Sequence, residues 1–222
     1  MIYKNLILPC LVFTVVTVFA QSDRNPDPRA TDILQSLEEK MSKYADVTYQ
    51  FNLRIDRPQS DPVIKEGVFY TQGVRYKLEM DDYIFVTDGK SQWVVDKEAT
   101  EVQIHDYQTL DQNDLSHPQS LLAIHNNPNF DYHLVFDGKD QNKSVQKIEF
   151  KPLDRSSEYA KARLTLDKNE GMISKIEVFV KDGSRYTLEI LKTNGDQNLA
   201  STHFEIKKGD FPDYHVEDLR LN

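Results

Sequence analysis

The residues able to do chemistry are scattered along this chain rather than grouped. Its six histidines, His105, His117, His125, His133, His203 and His215, form no HxH, HxxxH or HExxH spacing, and without such spacing one strand or helix face does not present two ring nitrogens to a metal. His117 and His125 flank a short apolar run, too far apart to share an ion without another element, and the set reads as solvated loop histidines. Asp111-Gln112-Asn113-Asp114 offers oxygens but lacks the glycine and distal glutamate of a calcium loop. Glu38-Glu39 and Asp81-Asp82 fall on a helix surface and at a strand turn, where acids are usual and an acid–base pair is not implied. There is no GxSxG elbow and no glycine-rich phosphate loop, and Ser120 has no glycine on either side. Asn142-Lys143-Ser144 matches a glycosylation acceptor, a frequent chance pattern. No catalytic residue, metal ligand or cofactor is expected, and the chain is read as a non-enzyme.

What remains is an aromatic and aliphatic load: eleven tyrosines, eleven phenylalanines and one tryptophan. Many occupy alternate positions of short runs, as at Tyr49 and Phe51, Phe69, Tyr76, Phe85, Trp93, Tyr132, Phe150, Phe179, Tyr186 and Phe204. Such residues pack a dry core or line an apolar cavity, and alternation alone does not decide between the two.

The elements that position them are mostly strands. Asp27-Pro28 supplies an N-cap and a proline at the first helical position. Ala30, Ile33, Leu34, Leu37, Met41 and Tyr44 then recur at three- and four-residue spacing, so a helix with one apolar stripe is predicted over 27–45. From Asp46 the period becomes two, and Val47, Tyr49, Phe51, Leu53 and Ile55 define a long strand. Comparable runs lie at 64–71, 74–80, 83–87, 92–96, 102–106, 132–136, 145–151, 162–167, 173–181, 185–192 and 203–207. Turn pairs such as Asp88-Gly89, Asp137-Gly138 and Asp182-Gly183 separate them, and such short connections require antiparallel neighbours. A short helix over 116–124, opened by Ser116 or His117 and Pro118, interrupts the series. An antiparallel sheet this large must curl into a barrel or fold into a sandwich, with the helices covering any open side.

At the start, the apolar run Leu6–Phe19 leads into Val18-Phe19-Ala20, which supplies small residues at the two positions a signal peptidase inspects. Residues 1–20 are read as a secretory signal, because the run is short of the ~20 residues a transmembrane helix needs. Cys10, the sole cysteine, goes with it. Residues 21–222 are read as one domain. Cleavage removes one of the 27 basic residues and none of the 36 acidic ones, a balance that disfavours nucleic acid as a partner.

The order of these features carries a resemblance. An amphipathic helix is followed by an aromatic first strand, the Gly67-Val68-Phe69-Tyr70 strand, Val74-Arg75-Tyr76-Lys77-Leu78, and the run Thr87-Asp88-Gly89-Lys90-Ser91-Gln92-Trp93-Val94-Val95-Asp96. Pro118 with Leu121-Leu122, the hairpin from Asp167 to Glu177 and the closing Phe204-Glu205-Ile206 complete it. Together these resemble the LolA family of periplasmic lipoprotein carriers. The resemblance implies a mainly β fold with α, an unclosed antiparallel half-barrel of about eleven strands covered by a helical lid, enclosing a cavity for acyl chains. It implies a monomeric periplasmic carrier whose partners are acylated lipoproteins, an inner-membrane ABC transporter of the Lol type and an outer-membrane acceptor. By position, Val74, Tyr76 and Leu78 match the cavity-facing residues of the family's third strand, and Leu34 and Leu37 match its lid helix. Phe51, Ile84, Val86, Trp93, Leu121 and Leu122 complete the expected acyl cavity. The family's Arg-Pro before the third strand is replaced by Gln72-Gly73, and Arg75 falls on the opposite strand face. The rival expectations are a half-barrel that binds another hydrophobic ligand or senses envelope stress, and an envelope hydrolase.

Overall fold

The computed structural model describes residues 25–107, 115, 118–207 and 209–221. The expected signal sequence with Cys10, the Asp111–Asp114 run, and Ser116 and His117 lie outside the described residues.

Helix α1 spans Pro28–Met41. Asp27 caps it through its carboxylate, which accepts from the Arg29 amide at 2.9 Å, and Pro28 fills the first position, where its missing N–H costs nothing. The helix ends before the expected position 45, with the Ser42 amide bonded to the Glu38 carbonyl. The same Asp27 ties the helix to the sheet. Its amide donates to the Tyr132 carbonyl at 3.0 Å, and its second carboxylate oxygen accepts from the Leu134 amide at 3.3 Å. Burial raises the Asp27 pKa, but the Arg29 and Leu134 amides outweigh it and hold the carboxyl below its ordinary value.

Eleven strands follow in antiparallel pairs: β1 (Val47–Asp56), β2 (Val63–Gln72), β3 (Arg75–Met80), β4 (Tyr83–Thr87), β5 (Ser91–Asp96), β6 (Glu101–Asp106), β7 (Phe130–Asp140), β8 (Lys143–Pro152), β9 (Tyr159–Asp167), β10 (Met172–Val180) and β11 (Arg185–Gly195). Between β6 and β7 lie helix α2 (Pro118–Leu122) and a 3-10 turn, Ile124–Asn126. A last strand, β12 (His215–Asp218), pairs parallel to β6. All twelve form one sheet in the order β12-β6-β5-β4-β3-β2-β1-β11-β10-β9-β8-β7, so the first and last long strands meet in the middle and the edges stay unjoined. Register shifts at Gln50/Phe51, Leu134/Phe136, Ile173/Lys175 and Phe179/Val180 bend the ladders, because an extra residue on one strand sharpens its twist. The result is the expected unclosed half-barrel, with twelve strands rather than about eleven.

The expected strand at 203–207 is absent. Ser201–Phe204 is a 3-10 turn, and residues 205–207 run on without a partner strand. Fully buried Phe204 is what makes this segment look like a strand with an inward face.

Two glycines fix local geometry. Gly67 stands opposite Phe51 across β1 and β2, and a Cβ there would lie 2.4 Å from the Phe51 ring. Gly89 turns the β4–β5 hairpin at φ 89°. The Asp88 carboxylate accepts from the Lys90 and Ser91 amides, both at 2.8 Å, and the Thr87 hydroxyl donates to the Ser91 carbonyl at 2.6 Å. At the other end of β5, Asp96 accepts from the Glu98 and Ala99 amides at 2.9 and 2.8 Å. The polar members of the Thr87–Asp96 motif are therefore turn-builders.

Candidate functional site

Residues directly opposite in an antiparallel ladder share a face, so the register sorts the side chains into two sets. On one face Leu53, Leu188, Ile176, Leu164, Ile148 and Leu134 stand opposite one another in turn across β1, β11, β10, β9, β8 and β7. Four residues along β1 from Leu53, past Phe51, Tyr49 begins a second row that runs the other way through Phe69, Leu78, Phe85 and Val94 before ending at Gln103. The Tyr49 and Phe69 rings stack at 6.4 Å between centroids, and Tyr76 lies 5.9 Å from Phe69. This is the inner face, because the helices lie on it.

Helix α1 places Ala30, Leu34 and Leu37 in the same buried cluster, and α2 and its turn add Leu121, Leu122 and Ile124, with Leu115 just before them. The inner site thus consists of a wide apolar floor and a cover made of one helix and one short helical segment. Burial raises the pKa of the Tyr76 hydroxyl to about 12 and pushes that of Tyr49 higher still, as a low-dielectric surrounding requires.

The two parts of the cover are clasped together. Glu38 of α1 accepts from the Asn126 side-chain amide at 2.9 Å, and the same carboxylate oxygen lies 2.9 Å from His125 Nε2, whose Nδ1 lies 3.1 Å from the Leu122 carbonyl. Hydrogen bonds from Asn126 and His125 hold the Glu38 carboxyl below its ordinary value. His125 is therefore no solvated loop histidine; its side chain is only 8% exposed. No spacing rule flags this contact, whose partners are 87 residues apart.

Of the cavity residues expected from sequence, Leu34, Leu37, Phe51, Tyr76, Leu78, Leu121 and Leu122 come together in the inner cluster. Val74 does not. It lies in the β2–β3 turn, 64% exposed, with its methyl over Gly89. Ile84, Val86 and Trp93 are on the outer face, since Val86 stands opposite Lys77 and Trp93, and Ile84 opposite Glu79 and Val95. Strand β4 reads Tyr-Ile-Phe-Val and β5 contains Trp-Val-Val, so both faces are apolar and alternation offers no basis for choosing one. Phe85 and Val94, not named from sequence as cavity residues, are the inner-face residues of these strands.

The outer face of β4–β6 is apolar where the end of the chain covers it. After β11 the backbone crosses that face as a strap. Asp46 accepts from the Gln197 and Leu199 amides at 2.8 and 2.9 Å, and Gln72 donates to the Leu199 carbonyl at 3.1 Å. Phe204 is then buried beside Arg75, whose guanidinium lies 5.8 Å from the ring centroid. Arg75 thus serves the strap, and Gln72-Gly73 contribute a tether and a turn where the resemblance would have Arg-Pro. Among the described residues no group of three or more His, Cys, Asp or Glu is placed to hold a metal ion.

An open antiparallel half-barrel with an apolar inner face under helical elements is a class of fold that presents a sheltered apolar surface. The sequence pattern of the family described as "Outer membrane lipoprotein carrier protein LolA" matches residues 49–207, and the chain belongs to that family. No curated protein matches it by sequence. Among solved structures, an uncharacterised conserved protein from Thermus thermophilus superposes with a TM-score of 0.57 at 11% identity, covering 87% of this chain and 99% of the other. The LolA superfamily protein NE2245 from Nitrosomonas europaea gives 0.43 at 12% identity over 80% and 97% of the two chains. A DUF1329 family protein from Desulfovibrio piger gives 0.47 at 12% identity over 82% and 98%.

Proposed function

We propose that this protein is a periplasmic carrier that shields the acyl chains of lipoproteins on its inner face, receiving them from an inner-membrane ABC transporter and yielding them to an outer-membrane acceptor. The observation that carries the reading is the pair of unbroken apolar rows lying under helices that the strands do not need for their own pairing. Family membership supports the same reading.

The energetics explain why the cover matters. Removing one acyl chain of about sixteen carbons from water gains roughly 12 kcal/mol at ~0.8 kcal/mol per methylene, too tight a hold for easy release. Leu34, Leu37, Leu121 and Leu122 pack against the apolar floor, so a chain must displace those contacts, and their recovery favours release. The Glu38–His125–Asn126 clasp joins α1 to the segment after α2. Both parts of the cover therefore leave the floor together.

Release of a radiolabelled lipoprotein from spheroplasts tests the reading. Leu78→Glu puts a charge on the inner floor and is expected to abolish release, whereas Val74→Glu, at the exposed turn, leaves release intact. Full release by a folded Leu78→Glu protein, verified by circular dichroism, overturns the carrier reading.

A further inference from the structure

The strap is fastened at both ends and bowed in the middle. Its near end is held by Asp46, Gln72 and the buried Phe204. Its far end is held by the β12 ladder to β6, by the Leu219 amide on the Ile104 carbonyl at 2.8 Å, and by the Leu221 amide on Asp106 at 2.9 Å. Arg220 adds bonds to Asp218 at 2.8 Å and to the Ser91 hydroxyl at 3.2 Å. Between these anchors the backbone satisfies itself. The Asp210 amide donates to the Lys207 carbonyl at 3.1 Å, the Lys207 amide to the Asp210 carboxylate at 2.8 Å, and the Tyr214 amide to the Phe211 carbonyl at 3.2 Å. Two consecutive turns, the first passing through Gly209 at φ 108°, thus set the shape of the bow independently of the sheet beneath it.

Under the bow is a pocket of about 460 Å³. Trp93, Val102 and Ile104 form its floor on β5 and β6, and Ile206, Phe211 and Tyr214 are prominent in its roof. Its size is that of a small-molecule site. Self-satisfied turns that hold aromatic side chains off an apolar floor, instead of collapsing onto it, keep the volume open. The charges around it select the ligand. Lys207, the one charged residue of the lining, is already paired with Glu205, and Arg220 with Asp218, which leaves Asp210, Asp213 and Glu217 in surplus among the described residues of the strap. The surplus is negative, which repels an anionic head group.

We propose that this strap-roofed pocket is a second ligand site, on the opposite side of the sheet from the inner face, that takes a single uncharged hydrocarbon chain of the fatty-alcohol class. Trp93 is the only tryptophan in the chain and lies on the pocket floor, so its fluorescence reports on a ligand bound there. The probes are bromododecanol and bromododecanoate, which carry the same contact quencher on chains with different heads. Saturable quenching by the alcohol is expected, with the carboxylate about fivefold weaker from like-charge repulsion at an exposed rim. Filling the floor with Ile104→Phe should weaken the alcohol about tenfold; Tyr214→Ala, in the roof, tests the same site without touching the sheet and should also weaken it. Leu78→Glu on the inner face should leave quenching unchanged. Linear, unsaturable quenching, or full affinity in both pocket variants, overturns the site. Loss of quenching in Leu78→Glu would place the ligand on the inner face instead, and equal affinity for the carboxylate would overturn the choice of an uncharged ligand. Lipoprotein release reads the inner face separately, so failure of either proposal is distinguishable from failure of the other.

Discussion

The two halves of the outer face differ more from each other than the two halves of the inner face do. Behind β8–β11 the outer surface is ionic. The Phe179 ring lies 5.2, 5.5 and 5.1 Å from Lys161, Arg163 and Arg185, Glu149 bonds Lys161 at 2.8 Å and Arg163 at 3.1 Å, and Glu177 pairs with Arg185. Behind β4–β6 the outer surface is largely apolar, with Val86, Val95 and Val102 buried. The difference is the strap. Where chain covers the sheet, outward positions become aliphatic or aromatic; where water covers it, they become a lattice of opposite charges and one amphipathic contact. The inner face carries apolar rows across both halves and turns polar at β6, where Glu101, Gln103 and His105 share it.

Deleting a packed side chain on each face is the strongest way to break this contrast. Phe51→Ala on the inner floor should cost about 4 kcal/mol of global stability, and Phe204→Ala under the strap about 3 kcal/mol, within the range for a fully buried phenylalanine. Only the second should speed proteolysis of the strap selectively. Urea titration and limited digestion measure the two effects, and equal protease resistance of the straps would mean that the strap is not an independent cover.

The ionic half should respond to pH through Glu149. Burial raises the Glu149 pKa, but hydrogen bonds and charge from Lys161 and Arg163 prevail and hold it below the usual glutamate value. A folded-state pKa that is depressed gives stability that is present above the unfolded value and lost as pH falls through the folded one. Glu149→Gln should therefore destabilise by roughly 1 kcal/mol at neutral pH. That difference should close in acid, below the native Glu149 pKa, as denaturant titrations at several pH values would show.

The smallest effect is expected at the clasp between the cover elements. Glu38 is half exposed, so Glu38→Ala should change global stability by under about 0.5 kcal/mol. Amide exchange in α1 should nevertheless accelerate relative to β7, because the helix loses its tie to His125 and Asn126 while keeping Asp27. Unchanged exchange would remove the clasp from the account.

Much of this organisation is legible in the sequence, and the failures have a common cause. Asp27-Pro28 and the Ala30, Leu34, Leu37 spacing define α1 because capping and helical period are local. Val47 to Ile55 defines β1 for the same reason. The face of β4 and β5 is not local. Ile84 and Phe85 are equally apolar, and which one points inward depends on a register set by β3 and on a strap more than a hundred residues later in the chain. Val74 is misplaced by its sequence because alternation from Tyr76 extends one step past the strand end at Arg75. Phe204-Glu205-Ile206 imitates a strand because one side chain is buried, yet its backbone has no ladder. The Glu38–His125 clasp joins two residues that are each ordinary in their own segment.

Neighbouring residues of one strand offer the most direct test of the central claim that acyl chains lie on the inner face. Ile84 and Phe85 are both half-buried and point to opposite faces of β4. A photo-crosslinking amino acid placed at each position in turn, in carrier loaded with acylated lipoprotein, should capture the acyl chain from position 85 and not from position 84. Capture from 84 alone would contradict the account.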